Sequence, residues 1–186
     1  MIPLRIKLLT PTAKAPEAAN EGDLLDLFAD SFSVENLESP ISKTKVVLSK
    51  KDTDCELLVG ARVLVKTGIA LDLPVQLNYG WAFKSDDNYL GEGSHSILAY
   101  AVADLRPRSG LALKHGITVL NAPATIDNSY RKEIGVIIIN HGHQPYVIKR
   151  GDKIAQMLIR PLHTNKMEVV NDLQDSGRGA YGSSGI

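Results

Sequence analysis

The chain holds a single cysteine, Cys55, among its 186 residues. That excludes an intramolecular disulfide and any cysteine-rich zinc cluster, and a cytosolic, cytoplasmic compartment fits it. An excess of either charge is also missing. Twenty-one Lys and Arg balance 21 Asp and Glu, so no overall field gathers nucleic acid or an anionic lipid surface. An anionic ligand must therefore be held by a local site. No run is long and apolar enough to span a membrane. The opening "MIPLRIKLLT" alternates apolar and charged residues, and so reads as a strand and not as a signal peptide. Helical patterning is scarce throughout.

What is present is enough for a core. With 44% apolar residues, 186 positions suit one domain, residues 1–186. Short runs rich in Val, Ile and Leu recur between turn signals: "VVL" near 46, "ARVLVKTGIALDLP" at 61–74, "IGVIII" at 134–139 and "QPYVIKRGDKIAQMLIRPL" at 144–162. This spacing predicts an all-β sandwich or barrel. The one helical candidate is "RSGLALKHG" at 108–116, with Ser109 as its cap and Gly116 as its end. Residues 30–55 and 84–100 are polar and irregular, and read as surface excursions inserted into the β-core.

Four segments could carry chemistry, and each has a plainer reading. "LRPRSGLALKHGI" at 105–117 gathers Arg108, Ser109 and the amides around Gly110 at a strand-to-helix junction, where phosphate is attracted, although an ordinary capped turn looks similar. "NAPATIDNSYRKEIGV" at 121–136 sets Asp127 three residues before Tyr130, although a turn aspartate most often bonds its own backbone. "RGDKIAQMLI" at 150–159 is a tight turn into a strand with Gln156 as the polar exception. "GRGAYGSSG" at 177–185 reads alone either as a flexible tail or as a lid whose amides wrap an anion while Arg178 adds charge and Tyr181 a flat face. The pair His141 and His143 has no third convergent ligand in the sequence and reads as a hairpin turn.

In this order the four segments resemble the motifs of the trimeric deoxyuridine triphosphatase (dUTP pyrophosphatase) family. "LDLFA" at 25–29 is similar to its first motif, and "TGI" at 67–69 matches the family's usual approach to the second. The resemblance implies a distorted jelly-roll-like fold with a flexible C-terminal arm, a mobile lid over 175–186, and hydrolysis of dUTP to dUMP and pyrophosphate with Mg²⁺ on the triphosphate. It implies that Asp127 orients and deprotonates the attacking water, that Asp26 meets Mg²⁺ through waters, and that Arg108, Ser109, Gly110 and Gln156 hold the phosphates. It further implies a β-hairpin that reads uracil by its backbone at Thr125, Ile126 and Gly135 and by the Asn121 side chain, with Tyr130 against the deoxyribose. In the tail, Tyr181 would stack on the base while Arg178, Gly182, Ser183 and Ser184 close over the phosphates. A homotrimer with shared sites is implied too.

The chain departs from the family pattern at Ala124, where glycine is usual, at Lys132, and at Ser176, where the tail usually has arginine. Base specificity and tail geometry rest on those positions. Two other readings are a relative acting on another deoxynucleotide, such as a dCTP deaminase, and a module whose excursions bind a protein partner, alone or beside dUTP hydrolysis. The joint presence of Asp127, Tyr130 and the aromatic, glycine-rich tail favours phosphate chemistry over deamination, and the intact motifs argue against protein binding as the sole role.

Overall fold

The computed structural model describes residues 4–33, 46–48, 53–74, 77–85, 88–97, 100–162 and 167–174, with side chains described outside 46–48 and 77–97. Fifteen strands and one helix occur among them: β1 (Arg5–Leu8), β2 (Leu25–Phe28), β3 (Ser31–Ser33), β4 (Val46–Leu48), β5 (Asp54–Leu57), β6 (Arg62–Lys66), β7 (Ile69–Asp72), β8 (Leu77–Ser85), β9 (Asn88–Ile97), β10 (Tyr100–Arg106), α1 (Ser109–His115), β11 (Ile117–Val119), β12 (Ala124–Ile126), β13 (Gly135–Asn140), β14 (Tyr146–Lys149) and β15 (Lys153–Leu162). Every pairing among the described strands is antiparallel. The all-β expectation holds. Among the described residues no helix is long and apolar enough to cross a membrane.

Two four-stranded sheets dominate, in the orders β12-β10-β15-β2 and β11-β13-β6-β3. Alternation explains how they bury a shared core. In β13 every second residue is buried, so Val136 and Ile138 face inward, opposite Val63 and Val65 of β6. Ala103 and Leu105 of β10 and Ala155 and Met157 of β15 do the same from the other sheet, and all join one hydrophobic cluster. Each fully buried Leu, Ile or Met contributes roughly 1.5–3 kcal/mol. The long apolar runs are divided by glycines at positive φ, which only glycine adopts freely: Gly68 (φ 68°) separates β6 from β7, and Gly151 (φ 88°) separates β14 from β15.

Three local expectations are corrected. The described residues of 84–100 are not irregular, because β9 pairs along its length with β8 in a two-stranded sheet, while 86–87 and 98–99 lie outside the described residues. A ladder is made of main-chain bonds, which a polar, glycine-containing sequence does not prevent, and composition hid it. The described residues of 30–55 likewise carry β3, β4 and the start of β5, while 34–45 and 49–52 lie outside the described residues. Finally, the cap of α1 is Arg108, in extended conformation and without a side-chain cap bond; Ser109 is already the first helical residue. Gly116 ends the helix as expected, in the left-handed conformation.

Candidate active site

Among the described residues five polar ones are buried, and two of them, Asp26 and Asp104, sit on one face of the sheet β12-β10-β15-β2. Register explains why. Arg106 of β10 lies opposite Gln156 of β15, and Gln156 lies opposite Asp26 of β2, while Asp104 lies opposite both Leu158 and Thr125 of β12. Residues directly opposite share a face, so this face is largely polar while its reverse, with Leu105, Met157 and Leu25, is apolar.

At one end of the face Asp26 gathers the phosphate-binding candidates. Its Oδ1 accepts from Gln156 Nε2 at 3.3 Å and lies 3.4 Å from Arg108 Nε, and its Oδ2 lies 2.9 Å from Lys153 Nζ. Arg108 also donates from Nη1 to the Lys153 carbonyl at 3.3 Å, which ties the start of α1 to β15. Lys153 holds its charge more firmly than a free lysine, first through its bond to Asp26 and then through Glu17 at 3.4 Å. Arg108, Ser109, Gly110 and Gln156 line a cavity of about 300 Å³ together with Lys114 and His115. A Cβ built on Gly110 would meet nothing within 4 Å, so the fold itself leaves that amide approachable.

A second cavity, of about 310 Å³, is lined by Asn121, Thr125, Ile126, Asp127, Tyr130 and Gly135. The segment that builds it is a hairpin only at its base. β11 pairs with β13, but the intervening β12 crosses to pair with β10 of the other sheet, so the expected simple β-hairpin is corrected to a wide loop with one anchored strand. The turn after β12 closes through Tyr130 N–H donating to the Asp127 carbonyl at 3.0 Å. Tyr130 O–H donates to the Glu133 carbonyl at 2.9 Å, which fixes the ring at the rim. Gly135 allows Leu64 to press against the strand, where a Cβ would come within 2.7 Å of Leu64 Cδ1.

The structure brings the phosphate candidates together and the base candidates together, but in cavities without a shared lining residue. Arg178, Tyr181, Gly182, Ser183 and Ser184 lie outside the described residues. His141 and His143 stand in the loop between β13 and β14, beside the end of α1.

Sequence reasoning missed four supporting residues. Lys153 stood inside the fourth motif and was readable there as a cation three residues before Gln156 on the same strand. Asn128 donates its amide to the carbonyls of Leu73, Pro74 and Ala101 at 3.2, 3.1 and 3.0 Å. Glu133 accepts from Gly68 N–H at 3.0 Å and pairs with Lys66 at 3.1 Å, bracing the wall of the second cavity. Asp104 needs the register of three strands before its partners appear, and no local signal announces it.

A family model described as dUTPase matches residues 96–185. A deoxyuridine 5'-triphosphate nucleotidohydrolase of Clostridium acetobutylicum is 38% identical over 189 residues, spanning 100% of this chain and 99% of that protein. The chain belongs to the dUTPase family. A further dUTPase relative, from Gloeothece citriformis, is 44% identical over 135 residues, 72% of this chain and 77% of its own length. Among solved structures, a variant of the Staphylococcus bacteriophage 80alpha dUTPase with dUpNHpp matches at TM-score 0.67 and 21% identity over 100% of both chains. A dUTPase variant from phage phi11 of S. aureus, described with a coordinated structural Mg(II) ion, matches at TM-score 0.61 and 20% identity, covering 92% of this chain and 98% of that one. These two support the jelly-roll-like β-fold of the dUTPase family.

Proposed function

We propose that the chain hydrolyses dUTP to dUMP and pyrophosphate in the cytoplasm, at sites assembled between three copies. The observation that carries this reading is the division of the family's motif residues between two separate cavities, one suited to phosphates and one to a nucleoside. Asp127, exposed at the second cavity, takes the proton from a water whose oxygen attacks the α-phosphorus. The bond from that phosphorus to the bridging oxygen breaks, and pyrophosphate leaves with the electron pair. Arg108, Ser109 and the amide of Gly110 hold the phosphates by charge-assisted and main-chain hydrogen bonds, and Gln156 steadies them from β15.

Asn121 and the backbone of β12 and Gly135 take the base, while Tyr130 rests on the deoxyribose and rejects a 2′-hydroxyl. The tail, with Arg178, Tyr181, Gly182, Ser183 and Ser184, closes over the occupied site. Asp26 suits Mg²⁺ because it is a hard oxygen donor beside the phosphate cavity, and Mg²⁺ is commonly held by one or two carboxylates, the substrate phosphates and retained waters. Bound there through water, the ion would neutralise part of the triphosphate charge.

Sharing between copies fits two features. Neither cavity holds a complete set of groups, and the segment after β15 exposes Met167, Val169 and Leu173 at 92%, 99% and 80%. Such apolar exposure is relieved by docking on another copy. Each site would draw Asp26, Ser109 and Gln156 from one chain, Asn121 to Tyr130 from a second and the tail from a third. The self-paired β8–β9 hairpin fits an excursion from this core.

The experiment is an assay of pyrophosphate release from a panel of dNTPs and UTP with Mg²⁺. Asp127→Asn should keep dUTP binding and lose turnover about a hundredfold or more, and near-normal turnover would refute its role. Mixing Asp127→Asn chains with chains cut after Asp175, under subunit exchange, should restore roughly a quarter of the sites if base pocket and tail come from different chains. Mixtures as inactive as their components would refute sharing.

A further inference from the structure

Asp30 and Asp104 are buried carboxylates, each 3% exposed, without a task in the proposed chemistry. Asp30 spends both oxygens on the hydroxyls of Thr10 and Thr12, within the N-terminal part of the chain. Asp104 is different, because one of its partners lines the base-side cavity. Arg160 of β15 donates from Nε to Oδ2 at 2.6 Å and from Nη2 to Oδ1 at 3.4 Å, and Arg106 stands 4.0 Å from Oδ2. The third partner is Thr125, whose hydroxyl donates to Oδ1 at 2.8 Å and which lines the base-side cavity.

Proton counting gives this arrangement a consequence. A guanidinium has donors only, and an ionised carboxylate accepts only. The Arg160 bond above all, with Thr125 and the nearby Arg106, holds the Asp104 carboxyl below the usual carboxylate range, so it is ionised at neutral pH. A threonine hydroxyl has one proton and two lone pairs. Thr125 gives its proton to Asp104, and only lone pairs remain for the cavity.

We propose that Asp104 is a positioning residue that sets the hydrogen-bond polarity of the base-side cavity: by taking the Thr125 proton it makes that wall an acceptor, which selects a nucleoside group carrying N–H or O–H, met directly or through one water. This rests on the proposed function and deepens it. Neither partner alone would suffice. Thr125 facing an amide N–H would accept from it and turn its own proton to the cavity, and Asp104 without Thr125 would not reach the cavity wall.

The test is a double-mutant cycle on the full chain, with affinity for the imido analogue dUpNHpp read by titration calorimetry and stability by thermal melting. Asp104→Asn lets Arg160 keep the amide oxygen and turns the amide N–H toward Thr125, whose hydroxyl must then accept. Affinity should fall about tenfold, the scale of one hydrogen bond made wrong. In a Thr125→Val background the same change should leave affinity unaltered, while the loss of melting temperature from removing the charge that pairs with Arg160 persists. Thr125→Ser, which restores a hydroxyl, should restore the sensitivity. A purely structural Asp104 would lower affinity equally in both backgrounds, and that result, or no change in affinity in the otherwise native chain, overturns the inference. A native chain that fails to bind dUpNHpp overturns the proposed function and this inference with it.

Discussion

Replacing Asn128 by alanine should unfasten the turn that presents Asp127. The Asn128 amide carries two protons and points them at three carbonyls, those of Leu73, Pro74 and Ala101, at 3.0 to 3.2 Å. Two protons can make at most two bonds of full strength, each worth about 1 kcal/mol net, so the loss is about 2 kcal/mol. For a chain of this size that corresponds to a fall of roughly 4–8 °C in Tm at fixed protein concentration. Turnover should fall by about ten- to a hundredfold well below the melting range, because displacement of a reacting group by an ångström has that effect. Asn128→Asp separates this account from simple loss of packing. The carboxylate has nearly the shape of the amide but no protons, and it would face three carbonyl oxygens. Asn128→Asp should therefore be less stable than Asn128→Ala at pH 7. Thermal melts of the three proteins decide it, and an aspartate variant as stable as the alanine variant would refute the reasoning.

Gly110→Ala should keep or slightly raise stability, since its Cβ meets nothing and alanine favours helix, but should weaken dUpNHpp binding in calorimetry if ligand phosphates approach that amide. Gly142→Ala should do the opposite, lowering Tm by several degrees, because its Cβ would fall 2.2 Å from the His115 carbonyl oxygen where α1 ends. The depressed Asp104 carboxyl contributes stability that is complete above the ordinary aspartate pKa of about 3.9 and is lost as pH falls from there through the folded value. Denaturant midpoints against pH should accordingly drop more steeply below about pH 4 for the native chain than for Asp104→Asn. Cys55, fully buried with its thiol pushed up to about 11, should resist iodoacetamide at pH 8 in the folded protein and react on unfolding, as mass spectrometry would report.

The runs "ARVLVK" and "IGVIII" were legible as strands because β-branched residues alternate with a buried face; the break at Gly68 inside the single run 61–74 was not legible, whereas the turn at Gly151 was legible from "RGD". Gly116 was legible as a helix end for the same reason, whereas Ser109 was misplaced by one position, since Arg108 takes the cap with its side chain committed to Asp26 and the Lys153 carbonyl. The hairpin of β8 and β9 was hidden, because propensity weighs side chains and the ladder is made of backbone. The candidate site divides along the same line. Arg108, Gln156, Asp127 and Tyr130 belong to contiguous motifs and could be named from sequence. Asp104, whose partner residues lie 21 and 56 positions away, acquires meaning only through strand register. The same holds for Asn128, which reaches back 54 and 55 positions to its carbonyl partners on the Leu73–Pro74 segment.

The ten-residue ladder of β15 restricts how the gene can change. Lys153, Gln156 and Arg160 serve the polar side while Ala155 and Met157 serve the core, each locked opposite a fixed neighbour on β2 or β10. A one-codon insertion or deletion between Gln156 and Arg160 would exchange the two sides for every residue beyond it, sending Met157 or Arg160 to the wrong solvent. Point substitutions there can be tested one at a time by selection, but changes of length cannot. Drift in length among descendants of this sequence is therefore expected at the strand connections, with the stretch from Gln156 to Arg160 inherited at constant length.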